Sequence, residues 1–253
     1  DEIEVSTVTN VYAKLYSYND GTEGYKIELA NNVEYINNDL NLIDDFENKD
    51  INNLERIPWT SYNVKTIEII NEIVPIDVGY FSRNMKLENI IGLKNLNTSN
   101  VTDMSGMFCD CRKLKSLDLS NFDTSNVTNM NSMFRSCGSW GDLKVLDLSS
   151  FDTSKVTDME WMFAGCSTVT DIKLSSFITK NVEIMSFMFR YCSLEKLDLS
   201  SFDTSRVTDM TEMFFCSSGL TEILVNSSTW NVEGVETSRM FMGCGVSSVT
   251  YKK

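Results

Sequence analysis

The 253-residue sequence predicts an α/β solenoid of about six coils behind a β-rich N-terminal cap. Three observations carry this expectation. The string LDLSNFDTSNVTNMNSMF from Leu117 returns from Leu146, Ile172 and Leu197, with diverged copies from Ile91 and Ile223, so the period is 25 to 29 residues. Each copy opens on alternation of apolar and polar residues, the period of a strand. Each then switches: Val127, Met130, Met133, Phe134 and Cys137 follow spacings of three and four, which predicts a short helix with one buried face.

The elements follow in order. Residues 1–62 lack the repeat. Residues 5–18 and 25–29 read as strands around Asn19-Asp20-Gly21, a hairpin-type turn, and the Asn-rich stretch 31–53 reads as loop with at most one short helix. A solenoid must cover its first apolar edge, so 1–62 is expected as a β-rich cap and 63–253 as the solenoid, with Ile57-Pro58-Trp59 at the transition. A degenerate first coil runs over 67–87, with Phe81 at the Phe position and Asn84 at the Cys position. In the regular coils Leu114, Leu117 and Leu119 read L-x-x-L-x-L, a leucine-rich-repeat-like strand, and Thr157-x-x-Glu160 matches a helix capping box. Every coil is therefore expected as strand, turn and short helix. Neither half can bury its apolar face alone, so the coils must stack.

Composition narrows the chemistry. There is no histidine, which excludes Ser-His-Asp and Cys-His catalysis, imidazole zinc sites and a histidine pH switch. A net charge of −14 argues against nucleic acid or an anionic membrane as partner. No apolar run is long enough for a transmembrane helix, so no direct membrane insertion is expected of this segment. A hydrolase working with two carboxylates would survive these exclusions, but the repeated acids fall in turns and no singular acidic pair stands out.

With the repeat written as F-D-T-S-x-V-T-x-M-x-x-M-F-x-x-C-x-x-L, the chain resembles the BspA-like bacterial leucine-rich repeat proteins, a group that includes the mycoplasma lipoprotein repeat. The resemblance covers about residues 64–250. It implies a secreted or surface-attached protein connected with adhesion or host contact, with no shared catalytic residues. Departures are visible: Ser217 occupies a Cys position with Cys216 one earlier, Ile178, Lys180 and Glu183 replace Asp, Ser and Thr in the fourth repeat, and the last repeat lacks its first Met.

Several columns invite a sharper reading. Cys111, Cys137, Cys166, Cys192 and Cys244 are expected as buried thiols on the apolar face, with bridges between neighbouring coils or a metal site as alternatives. Asp123, Asp152 and Asp203 are expected as turn-forming carboxylates, with calcium as the alternative. The position between the two methionines reads Gly106, Ser132, Trp161, Phe187, Glu212. Aromatics in a column that is small or polar elsewhere are not required by the repeat. Trp161 and Phe187 should stack, with Tyr191 and Phe215 nearby, as a contact patch unless another segment covers them. Trp140, in the insertion Gly138-Ser139-Trp140-Gly141-Asp142, is a second candidate, either offered to a partner or folded back.

These readings lead to a non-enzymatic protein, secreted or at the cell surface, without cofactor or metal. Its expected partners are a host or neighbouring-cell protein or glycan. The alternative is a structural subunit of a layer, filament or appendage that binds other copies of itself through the solenoid.

Overall fold

A coil 25 residues long can close only if it changes direction several times, and the sequence supplies Asx turns and small residues at fixed offsets to do so. The computed structural model describes residues 12–17, 25–31, 41–45, 63–75 and 78–252. It is a parallel β-solenoid of about seven turns. Strands β4 (Val64–Ile69), β5 (Asn89–Ile91), β6 (Val145–Asp147), β7 (Asp171–Lys173), β8 (Lys196–Leu199), β9 (Glu222–Asn226) and β10 (Thr250–Lys252) line one side. They pair in parallel as β4–β5, β6–β7 and β8–β9–β10. The segment at Leu117 lies between these sheets without strand pairing.

Upstream, β1 (Tyr12–Ser17) pairs antiparallel with β2 (Tyr25–Ala30) and with β3 (Asn41–Asp45). β2 then joins β4 in parallel, so one five-stranded sheet runs in the order β3-β1-β2-β4-β5 into the solenoid. Asn19-Asp20-Gly21 and Ile57-Pro58-Trp59 lie outside the described residues. The degenerate coil is a full turn. Ile67 pairs with Ile90, and the Asn84 amide donates to the Phe81 carbonyl at 2.8 Å.

The short helices are corrected. Among the described residues the only helical pieces are 3₁₀ turns at Gly79–Phe81 and Leu93–Asn95, so the α/β class, the leucine-rich-repeat-like coil and the capping box at Thr157 do not describe this fold. The reason is where the amides go. In an α-helix every interior N–H bonds four residues back in its own segment. Here alternate N–H groups leave the coil. Met104, Gly106, Phe108 and Asp110 donate to the carbonyls of Asn129, Asn131, Met133 and Arg135 of the next coil at 2.8–2.9 Å. The residues between them close tight turns instead, Met107 to Met104, Cys109 to Gly106 and Cys111 to Phe108, at 2.9–3.3 Å. The third residue of every second such turn is left-handed, which is why Gly106 (φ 65°) fits there. A spacing of three serves consecutive turns as well as it serves a helix, so the buried face came out right with the wrong local structure: Val127, Met130, Met133, Phe134 and Cys137 are all fully buried.

The core is a set of ladders along the solenoid axis. Phe81, Phe108, Phe134, Phe163, Phe189, Phe214 and Phe241 stack with centroids 5.3–5.9 Å apart. Offset stacking of buried rings adds to their area burial. All seven cysteines are free thiols. Cys111, Cys166 and Cys192 point their Sγ at the carbonyls of Phe81, Phe134 and Phe163 in the preceding coil, at 2.8–3.2 Å. Ser217 takes the same role in the displaced repeat: its hydroxyl donates to the Phe189 carbonyl at 2.6 Å and accepts from the Cys192 N–H.

Threonines tie the corner. Thr98, Thr124, Thr153, Thr179 and Thr204 are at most 2% exposed. Each hydroxyl donates to a carbonyl in the next coil and accepts the N–H of the same residue, Asp123, Asp152, Ile178, Asp203 and Asn231 in turn, and Thr204 also reaches the Thr229 carbonyl. A side chain thus replaces a strand bridge where the chain bends. The turn carboxylates act locally. Oδ1 of Asp123, Asp152 and Asp203 accepts the N–H two residues on, at 2.9–3.0 Å. The Ser154 hydroxyl and N–H hold the Asp152 carboxyl below its ordinary range.

Candidate functional site

The left-handed column between the methionines is where the coils differ most. Gly or Ser occupies it in the first coils at low cost. Trp161 (φ 59°) and Phe187 (φ 61°) occupy it in the middle ones, and Tyr191 (φ 57°) takes the second left-handed position of its coil. Holding a bulky L-residue there costs on the order of 1–2 kcal/mol each. The inter-coil bonds fix that backbone whatever the side chain: Trp161 N–H bonds the Ser186 carbonyl at 3.0 Å and Phe187 N–H bonds that of Thr211 at 2.8 Å. Trp161 and Phe187 leave the turn side of adjacent coils half-exposed, whereas Glu212 of the same column is buried.

Stacking brings them together. Trp161 and Phe187 lie face to face with centroids 4.1 Å apart and planes 11° apart. The Arg135 guanidinium covers the Trp161 ring at 4.6 Å. Arg190 sits at the centre of the group, 4.8 Å from the Tyr191 and Phe215 rings, 5.4 Å from Trp161 and 5.7 Å from Phe187. Arg239 closes the far end 4.7 Å above Phe215, and Tyr191 meets Phe215 edge-on. Glu212, only 6% exposed, lies between two cations: Arg239 Nη1 is 2.8 Å from its Oε1 and Arg190 Nε 3.2 Å from its Oε2. Two ion pairs therefore link Glu212 to arginines of the coils on either side, and the Arg190 Nε–Oε2 contact falls outside hydrogen-bond geometry.

The four candidates therefore form one cluster, with different roles. Tyr191 is 49% exposed, Trp161 and Phe187 are half-buried, and Phe215 is buried at 7% beneath Arg190, Arg239 and Tyr191. Trp140 is 58% exposed and pairs with Arg112, whose guanidinium lies 4.5 Å over its ring. The residues that sequence reasoning missed are Arg135, Arg190, Arg239 and Glu212. A signal existed: Phe134-Arg135 and Phe189-Arg190 put arginine directly after the core Phe in two of the coils that flank or carry the aromatics. On the strand side the charges pair with one another, as in Lys173–Asp171 (2.5 Å), Lys196–Glu222 (3.4 Å) and Lys252–Asp198 (3.4 Å).

The repeat that builds this face has relatives. The family described as "Mycoplasma protein of unknown function, DUF285" matches residues 76–193 and, in a second overlapping match, residues 137–250. The chain belongs to this family. The two matches span the turns that carry the Phe ladder, the cysteine column and the arginine–aromatic cluster. No curated protein and no solved structure matches the chain. Membership makes it a repeat protein, and the DUF285 repeat is seen here as one turn of a β-solenoid.

Proposed function

We propose that this solenoid is a non-enzymatic contact module of a secreted or surface-attached protein, binding a protein or glycan partner through the arginine–aromatic row. One observation carries the reading: three aromatic residues sit in left-handed positions that the repeat fills elsewhere with small or polar residues, and the solenoid core does not need them. Backbone strain accepted for an outward side chain points to function. Flat aromatic surface backed by arginines is the composition of contact hot spots, offering large area at low entropic cost. The resemblance of the repeat to BspA-like proteins supports adhesion as the use of that contact.

The test is binding of Trp161→Ala/Phe187→Ala to whole cells and to a glycan array. Loss of tenfold or more in affinity, about 1.4 kcal/mol, is expected with the melting curve little changed. A folded double variant that binds as well as the original would overturn the assignment of this face.

A further inference from the structure

Arginine and lysine are sorted to different sides of the solenoid. No lysine stands between the first methionine position and the cysteine position of any coil. Arg83, Arg135, Arg190 and Arg239 all stand in that stretch. They belong to the coils of Phe81, Phe134, Phe189 and Phe241, the first, third, fifth and seventh of the ladder. Stacked parallel coils rise about 4.8 Å each, so arginines on alternate coils recur about every 10 Å along the axis. The contacts agree with that interval. Arg135 and Arg190 lie 4.6 and 5.4 Å from the same Trp161 ring, and Arg190 and Arg239 lie 4.8 and 4.7 Å from the same Phe215 ring. Arg83 and Arg135 both act on the Cys109 thiol of the coil between them: burial raises its pKa, Asp110 adds to that, and the two guanidinium groups together with Arg112 pull it down.

The row is positive on a chain of net charge −14. Arg83 and Arg135 are exposed and have no carboxylate partner among the described residues. Arg190 and Arg239 share the one carboxylate of Glu212. The other acids described within the row are engaged, Asp110 by Arg112 and Glu160 by the Asn131 amide and the Ser186 hydroxyl. The rings add to the same sign. Trp161 lies between Arg135 and Phe187, and Phe187 between Trp161 and Arg190, so both present edges, which carry the positive end of the ring quadrupole.

We propose, resting on the reading of this face as a contact surface, that its ligand is a linear polysaccharide with one carboxylate on every second sugar. Two linked pyranose rings span about the axial rise of two coils, so successive carboxylates meet successive guanidinium groups. Arginine suits this pairing better than lysine because its planar fork takes a carboxylate in two parallel bonds. A denser polyanion is disfavoured. Asp158, Asp209 and Glu236 run beside the row, each accepting the N–H two residues on, and they would face the extra charges of a nucleic acid. An acidic helix can repeat a charge at this interval, but it docks through an apolar seam, and the faces of Trp161 and Phe187 are already taken. A hydroxyl-rich chain meets the Trp161 N–H and the Tyr191 hydroxyl at the ring edges instead.

The probes are hyaluronan oligosaccharides, in which an N-acetylhexosamine alternates with a uronate, titrated into the full chain by calorimetry. An octasaccharide should bind about tenfold or more tighter than a tetrasaccharide, because it reaches more of the row. Arg83→Gln/Arg135→Gln, at two exposed side chains, should remove that advantage with the melting curve unchanged, and Arg206→Gln, in the exposed corner column, should leave it intact. The carboxyl-reduced octasaccharide should not bind. No binding of the octasaccharide, equal binding of its carboxyl-reduced form, an unaffected arginine double variant, or tighter binding of a poly-glutamate peptide would each overturn the proposal. If hyaluronan fails while Trp161→Ala/Phe187→Ala still loses binding to cells, the contact face stands and the ligand class falls. If that aromatic variant also binds cells normally, both fall.

Discussion

Thr153→Val separates hydrogen bonding from apolar packing at the corner ladder. Thr153 is fully buried, and its hydroxyl donates to the Ile178 carbonyl at 3.1 Å while accepting the Ile178 N–H at 2.8 Å. Valine keeps the volume and shape but removes both bonds. Two backbone groups then lose their partner, at about 1–1.5 kcal/mol each when partly buried, so the expected cost is about 2–3 kcal/mol. Thr153→Ser keeps the hydroxyl and loses one buried methyl, at about 1 kcal/mol. The expected order of stability is therefore Thr, then Ser, then Val. Urea unfolding measures it, with coincident fluorescence and circular dichroism transitions to confirm that the solenoid unfolds as one unit. Amide exchange at Ile178 should quicken in the Val variant alone. Thr170→Val is the control, because Thr170 is exposed and its hydroxyl reaches the Lys144 carbonyl only at 3.4 Å. If Thr153→Val proves as stable as the original, or more stable than Thr153→Ser, the corner is held by packing and the reasoning fails.

Thiol labelling should divide the cysteines. Burial pushes the Cys192 thiol up to about 12 and raises Cys111, Cys137 and Cys166 as well, so at pH 8 these four stay protonated and shielded. Cys109, Cys216 and Cys244, which are partly accessible, should react first with a disulfide reagent, and all seven only after unfolding; early labelling of Cys192 in the native chain would contradict the packed column. Two glycine substitutions should differ sharply in thermal melts. Gly106→Ala meets nothing closer than 3.8 Å and loses only left-handed freedom, about 1 kcal/mol, whereas a Cβ at Gly138 would stand 2.7 Å from the Leu143 Cβ and should cost clearly more.

Much of the core could be read directly. The repeat places Phe, Met, Val and Cys at fixed offsets, and those residues are the buried ladders. Phe81 and Asn84 were recognisable as the Phe and Cys positions of a degenerate coil for the same reason. The short helices were a misreading with an identifiable cause, since consecutive tight turns and a helix both return to one face every three or four residues. The recurrent Gly, Ser and Asp at the left-handed positions argued for turns, but a hydrophobic pattern does not record the sign of φ. At the site, the pairing of Trp161 with Phe187 followed from their shared column. The burial of Phe215 and the central place of Arg190 did not, because they depend on how long side chains cross between coils.

By itself, then, the sequence determined that the chain is a solenoid, how long each coil is, and which side chains face its axis. Apolar spacing alone decides these, because any winding of this period must bury the same residues. Only the tertiary structure decided what kind of coil it is. An amide can bond within its own coil or to the next, and that choice exists only once a neighbouring coil is in place. Stacking turned a helical spacing into turns and set Trp161 and Phe187 side by side in left-handed backbone.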